Sequence, residues 1–196
     1  MPHINIRLVR EADSTRILEI YRPYVEETAI SFEYEVPTQA EFAERIRSVA
    51  REYPYLVYTI DESIIAYAYA HRHMERAAYQ WNATLSVYVD SAYQRQGIGK
   101  QLYACLMEIL KLQNIHNVYG IVKTPNPNSE KLHESFGFRR IGIYRQTGFK
   151  QGVWHDVTWF EKSIRDHEAN PHAFIPIGDI DPQAIAAILA RYGHSS

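Results

Sequence analysis

The 196-residue chain has one cysteine, Cys105. A single thiol excludes an intramolecular disulfide and any cysteine-rich zinc site. Long apolar runs are also missing. The longest, Ile64 to Ala70, is far too short to cross a bilayer, and the opening MPHINIRLVR has no apolar stretch of signal-peptide type. A soluble, cytoplasmic protein without membrane contact is expected. Neither sign of charge dominates: 21 Lys+Arg against 23 Asp+Glu leave a formal −2, so no nucleic-acid partner is expected. His71-x-His73 alternates at a strand end, but no third ligand stands at metal-site spacing, so no metal is expected.

What is present is a globular composition, 46% hydrophobic and 22% charged, long enough to bury a core without staples. Tyrosine is abundant, at 15 residues. It pairs apolar area with a polar tip and suits half-buried strands and pocket walls. Periodicity and turn signals predict a mixed α/β order. Asn5–Val9 reads as a strand. Asp13 caps a helix with Ile17, Ile20, Tyr21 and Tyr24 on one face. Thr38-x-x-Glu41 is a capping box opening a second helix. Tyr55–Ile60 and Ile64–His71 form a hairpin. Leu85–Val89 is a strand, followed by a glycine turn and an apolar-faced helix. Val118–Val122 is a strand, and Asn126-Pro127 starts a short helix. Phe138–Tyr144 and Val153–Phe160 are the last strands. After Ile164 a proline-bearing stretch leads to a small helix from Pro182 to about Tyr192, amphipathic enough to pack on its own domain or on a partner subunit.

Two stretches carry chemistry. Ser86-Val87-Tyr88-Val89-Asp90 runs into Gln94-Arg95-Gln96-Gly97-Ile98-Gly99-Lys100 and then the helix. A strand, a glycine turn and a helix N-terminus offer free N–H groups and a favourable dipole to an anion. Arg95 and Lys100 add formal charge. The pattern lacks the Gly-Lys-Ser/Thr ending of a P-loop and the spacing of the dinucleotide fingerprint, and an ordinary strand–helix turn has the same composition. The second stretch is Asn126-Pro127-Asn128-Ser129, then Leu132-His133-Glu134-Ser135-Phe136-Gly137-Phe138. Taken alone, its Asn and Ser are helix caps.

Together these stretches resemble the GNAT superfamily of N-acetyltransferases. Gln94-x-x-Gly97-x-Gly99 is similar to that family's acetyl-CoA loop, and Asn126-x-x-Ser129 to its following helix start. Ile30-Ser31-Phe32-Glu33, Arg76-x-Ala78-Tyr79, Ser86-Val87-Tyr88-Val89, Leu132-His133-Glu134 and Gly152-x-Trp154-His155-Asp156-Val157 resemble the phosphinothricin and methionine sulfoximine N-acetyltransferase branch, over about residues 4 to 162.

The resemblance implies a GNAT fold: a central mixed, mostly antiparallel sheet splayed at the cofactor site and flanked by helices. It implies a domain over residues 1–165 with a C-terminal arm over 166–196. It implies transfer of acetyl from acetyl-CoA to the amine of a small amino-acid-like substrate, by direct attack and without a covalent intermediate. Cofactor contacts fall on Val87, Tyr88, Val89, Arg95, Gln96, Gly97, Ile98, Gly99, Lys100, Asn126 and Ser129. Substrate contacts fall on Phe32, Glu33, Arg76 and Tyr79, and the protein is expected to be a homodimer. Cys105 takes a packing role on its helix.

One departure stands out. The branch carries a glutamate base two residues before the Ser of Ser86-Val87-Tyr88, where this chain has Thr84. A threonine cannot take a proton at neutral pH. Water held by Thr84, or Glu33, would have to serve. His133 stands where many of these enzymes carry a proton-donating tyrosine, with Tyr88 and Tyr119 as other donors. Thr84 also leaves open a non-catalytic acetyl-CoA-binding module. A second enzyme reading has a peptide or protein N-terminus, or a polyamine, as acceptor.

Overall fold

The computed structural model describes residues 3–193. The first strand, β1 (Ile4–Leu8), precedes helix α1 (Ser14–Glu26). Asp13 does not cap α1 through its side chain. Its carboxylate takes two bonds from Arg7 and one from the Arg10 amide, closing a 3-10 turn instead. Helix α2 (Gln39–Glu52) opens on the expected capping box, with Thr38 and Glu41 satisfying each other's backbone amides. Such a cap stabilises a helix by about 1 kcal/mol.

Strands β2 (Tyr55–Ile60) and β3 (Ser63–Arg72) form the hairpin across Asp61 and Glu62, which both adopt positive φ, 47° and 69°. That is the twist a two-residue hairpin loop demands. Strand β4 (Asn82–Val89), helix α3 (Ile98–Leu112), strand β5 (Asn117–Thr124) and helix α4 (Pro127–Ser135) follow. The chain then forms β6 (Arg139–Lys150), β7 (Val153–Ser163) and α5 (Pro182–Gly193).

Five strands exceed their expected lengths, β3 by one residue at each end and β5 by one before and two after. β4 begins three residues early, where Asn82, Ala83 and Thr84 pair with β5. β6 runs on to Lys150 because it is a largely exposed strand paired only with β7, so it shows no apolar alternation at its far end. β7 continues to Ser163, paired with Asn117.

The seven strands order as β1-β2-β3-β4-β5-β7-β6, and every pair is antiparallel except β4 with β5. The parallel pair spans three rungs, ending at Thr84 opposite Tyr119, and beyond that the two strands part. One face of the sheet carries Leu56, Ala68, Ala83, Leu85, Val118 and Phe160 against Leu102, Leu106 and Ile109 of α3 and Ile185 and Ile188 of α5. The other carries Tyr55, Val57 and Tyr67 against Ile17, Ile20, Tyr21, Phe42 and Ile46 of α1 and α2.

Much of the tyrosine excess sits on this second face. The Tyr88 ring lies 5.1–5.2 Å from those of Tyr21, Tyr24 and Tyr67, and Tyr55 stacks on Tyr69 at 4.9 Å. Cys105 is buried in the α3 core, and burial pushes its thiol up to about 12, so it is an inert packing group.

The chain after Ile164 returns to the same body. Gln113 Nε2 donates to the carbonyls of Glu52 and Ile175, at 2.7 and 2.8 Å, and Trp81 Nε1 donates to the His172 carbonyl at 2.7 Å. Phe174 stacks on Tyr53, and α5 lies against β1 and α3.

Candidate active site

The parting of β4 and β5 opens a cleft of about 300 Å³. Its walls are Val87 and Val89 of β4, Gln94, Arg95, Gly97, Ile98 and Gly99 at the start of α3, the α4 N-cap Asn126, and Ser129 and Leu132 of α4. The Asp90 amide donates to Ile65 in β3, so the alternation of an antiparallel strand turns the backbone groups of Val89 and Val87 toward the cleft. At Val89 the Tyr24 hydroxyl already takes them: it donates to the carbonyl at 2.6 Å and accepts from the amide at 3.3 Å. Val87 presents a free peptide edge to the cleft.

The turn before α3 is shaped for an anion. Gly97 is the N-cap in left-handed conformation, φ 82°, and Arg95 is left-handed too, φ 61°. The first helical amides, Ile98 and Gly99, have no acceptor within the helix. Arg95 supplies a cation at the rim. Gln96 and Lys100 are exposed on the same turn but do not line the cleft. Asn126 caps α4 by accepting from the Ser129 amide at 3.2 Å while lining the cleft. Tyr88 turns its ring to the opposite face, so only its backbone belongs to this edge.

On the α1/α2 face lies a second cavity, about 340 Å³, lined by Tyr55, Tyr67, Tyr69, His71, Glu33 and Arg45 among others. Register places Tyr69 opposite Ser86 and His71 opposite Thr84, so these side chains share one face of the sheet. Glu33 is ion-paired with Arg45 and is therefore not a free carboxylate.

The remaining expected site residues lie apart from both cavities. Phe32 packs on Gly148, where a Cβ would approach its ring to 2.2 Å, and stacks on His155. Its loop is tied down by the Lys150 ammonium, which donates to the carbonyls of Val25 and Ser31. Arg76 and Tyr79 sit exposed at the 3-10 turn between β3 and β4 and line neither cavity. His133 faces away from the cleft. Its ring is buried between Gly120 and Phe160, with edge contacts to Tyr103 and Phe138. Burial pushes its pKa below the ordinary 6.5, partly offset by its bond to the Ser129 carbonyl, so the ring is neutral and packed rather than placed to donate to a ligand.

Thr84 is buried and accepts or donates one short bond: its Oγ1 lies 2.9 Å from His73 Nδ1. His73 stacks on Tyr119 at 3.9 Å and meets Trp159 edge-on. The Tyr119 hydroxyl donates to Glu161, and burial followed by the Glu161 charge pushes it up to about 12, so it stays protonated. Sequence reasoning treated His73 only as a weak metal ligand. The alternation of His71 and His73 was visible, but register sets His71 opposite Thr84, and only the bend just past β3 folds His73 back onto the Thr84 hydroxyl. Among the described residues no group of three metal-ligating side chains converges, and no helix is long and apolar enough to cross a membrane.

Residues 6–159 match the family model described as an acetyltransferase (GNAT) domain. The chain belongs to this family. This GNAT acetyltransferase is 32% identical to a phosphinothricin N-acetyltransferase of Streptomyces viridochromogenes, over 90% of this chain and 96% of the relative. It is 28% identical to an L-methionine sulfoximine/L-methionine sulfone acetyltransferase of Salmonella typhimurium, over 85% and 98% of the two chains. Its fold superposes on a GNAT superfamily phosphinothricin acetyltransferase from Sinorhizobium meliloti, solved in complex with acetyl-CoA. The TM-score is 0.81 at 28% identity, covering 92% of this chain and 96% of that one.

Proposed function

We infer that this GNAT acetyltransferase moves an acetyl group from acetyl-CoA to the amine of a small amino-acid-like acceptor of the phosphinothricin, methionine sulfoximine or methionine sulfone type, by direct attack. The observation that carries the reading is the free Val87 edge of β4, flanked at one end by the Gly97–Gly99 anion cradle and at the other by the last β4–β5 rung. An extended amide-bearing arm fits that edge as an added strand, with its pyrophosphate on the Ile98 and Gly99 amides and Arg95 nearby. Acetyl-CoA supplies the activated thioester. The chain's own groups hold it, orient it and exclude water.

The acceptor would occupy the tyrosine cavity. Its cation is Arg45, suited to a carboxylate or an acidic oxide. The Arg45–Glu33 pair is partly exposed and so worth only about 1 kcal/mol or less, weak enough to exchange for an acceptor carboxylate. The relatives' acceptors support the amino-acid class.

Three further parts belong to the same reading. The acetyltransferase domain spans residues 1–165 and the arm 166–196, whose described part, to residue 193, braces the domain. A second copy of the chain covers the exposed apolar side chains of the β6–β7 hairpin, Ile141, Tyr144, Phe149, Val153 and Trp154. A lone reduced thiol suits the cytoplasm.

The test is amine-dependent release of CoA at pH 8–9 across a panel including methionine sulfone, methionine sulfoximine, phosphinothricin and spermidine. Release with the first three supports the reading. Tight acetyl-CoA binding with no release above background supports a binding module instead, the reading that the missing carboxylate at Thr84 favours.

A further inference from the structure

His73 fills the gap left by a carboxylate at position 84. The expected base position holds Thr84, whose hydroxyl has no basic lone pair at neutral pH. Yet that hydroxyl is spent on a ring that does. His73 Nδ1 and Thr84 Oγ1 lie 2.9 Å apart, and the ring is clamped flat on Tyr119 with Trp159 at its edge. Thr84 and Tyr119 form the last rung before β4 and β5 part, so the imidazole sits on the rung from which the strands separate. It sits on the face that carries His71, Tyr69 and the acceptor cavity, not on the α3 face. An acceptor amine coming from that cavity toward a thioester lying on the Val87 edge would pass this ring.

We propose that His73 is the proton acceptor of the acetyl transfer, with Thr84 as its positioning residue. This rests on the proposed function. Thr84 Oγ1 accepts from Nδ1–H and so fixes the tautomer that leaves the Nε2 lone pair free. Nε2 takes the ammonium proton of the acceptor, directly or through one water. The freed amine forms its bond to the acetyl carbon, the carbon–sulfur bond breaks, and the electron pair leaves on the CoA sulfur. The proton the nitrogen still sheds on becoming an amide returns to that sulfur.

The surroundings keep the ring in its accepting form. The titratable groups facing it are His71 from β3 and Tyr119 from β5, with Glu161 of β7 behind the Tyr119 hydroxyl and Arg139 of β6 paired to Glu161. Trp159 adds no charge. Burial, and then the charge of His71, hold His73 below the ordinary 6.5, so it is unprotonated at neutral pH.

The experiment measures kcat/KM with methionine sulfone and acetyl-CoA from pH 6 to 9.5. The full-length wild type, His73→Gln, Thr84→Val and His73→Gln/Thr84→Glu are compared, with acetyl-CoA affinity measured for each. A positioned base contributes about 10²–10⁴-fold. His73→Gln should lose that at pH 7 and approach wild type at pH 9.5, where the amine is already neutral, with acetyl-CoA affinity retained. Thr84→Val should show a smaller loss of the same pH shape. The Glu of the double variant should restore most of the pH 7 rate.

A loss of equal size at pH 7 and pH 9.5 overturns the proposal, as does a His73→Gln enzyme with wild-type rate at pH 7. If His73→Gln fails to fold, Thr84→Val carries the same pH criterion. A wild type that binds acetyl-CoA and acetylates no amine overturns the proposed function and this assignment with it.

Discussion

Thr84 and Tyr119 are the last residues that β4 and β5 share. Before it the strands are zipped. After it Val87 shows a bare peptide edge to a cleft that ends at the N-terminus of α3. The His73 ring bridges the two residues, bonded to one and stacked on the other.

Gly99 tests the anion cradle. A Cβ there would meet only Val87 and Leu132, at 3.7 and 3.9 Å, which is ordinary contact. Gly99→Ala should therefore leave acetyl-CoA affinity within a few-fold. Gly99→Trp fills the cleft between those side chains and should weaken binding by at least ~10-fold, about 1.4 kcal/mol. Calorimetric titration with acetyl-CoA distinguishes the two.

Arg45 tests the acceptor cavity. Arg45→Ala removes its cation, and KM for methionine sulfone should rise ~10-fold or more while acetyl-CoA affinity holds. A neutral ester of the same acceptor should be much less affected. Steady-state kinetics with the acid and the ester check this.

Gly120 and His133 test the packing beneath the sheet. A Cβ at Gly120 would stand 2.0 Å from His133 Nε2, so the ring must move or the strand must bend. Gly120→Ala should cost about 1–3 kcal/mol, the usual scale of overpacking, read as a lower Tm. His133→Ala opens space for that methyl group, so the double variant should be more stable than the sum of the two single losses implies.

One buried and two half-buried histidines make stability acid-sensitive. His71, His73 and His133 all have pKa values lowered in the folded state, with burial the largest cause in each. Below pH 6.5 the unfolded chain takes up protons that the folded one refuses. Their contribution is therefore complete above about 6.5 and is lost as the pH falls through the folded values. Tm should fall between pH 7 and pH 5, and His133→Phe, which also keeps ring area against Phe160, should flatten that decline.

The elements were legible where local chemistry determines them. The Thr38–Glu41 box, Asn126 with Pro127, and the Asp61–Glu62 turn each declare a boundary through their own side chains or spacing. The Asp13 cap does not form because Arg7, on β1, and the Arg10 amide take its carboxylate. The far half of β6 was illegible because an exposed strand carries no apolar period.

The cradle was legible as a contiguous motif, whereas the acceptor side was not. Tyr55, Tyr67, Tyr69, His71 and Arg45 come from α2, β2 and β3, and meet only through strand register and the packing of α2 on the sheet. Phe32 and Arg76 carry the resemblance in sequence, but the folded chain spends Phe32 on Gly148 and leaves Arg76 in solvent. His73 escaped for the same reason: its partner stands eleven residues away across a strand pair.

The most direct test of the account is mass spectrometry of the product formed from acetyl-CoA and methionine sulfone at pH 8. An acetyl group on the α-amine, formed at a rate proportional to enzyme and accompanied by equimolar CoA, is the predicted result. Bound acetyl-CoA with no acetylated amine above the enzyme-free control would contradict it.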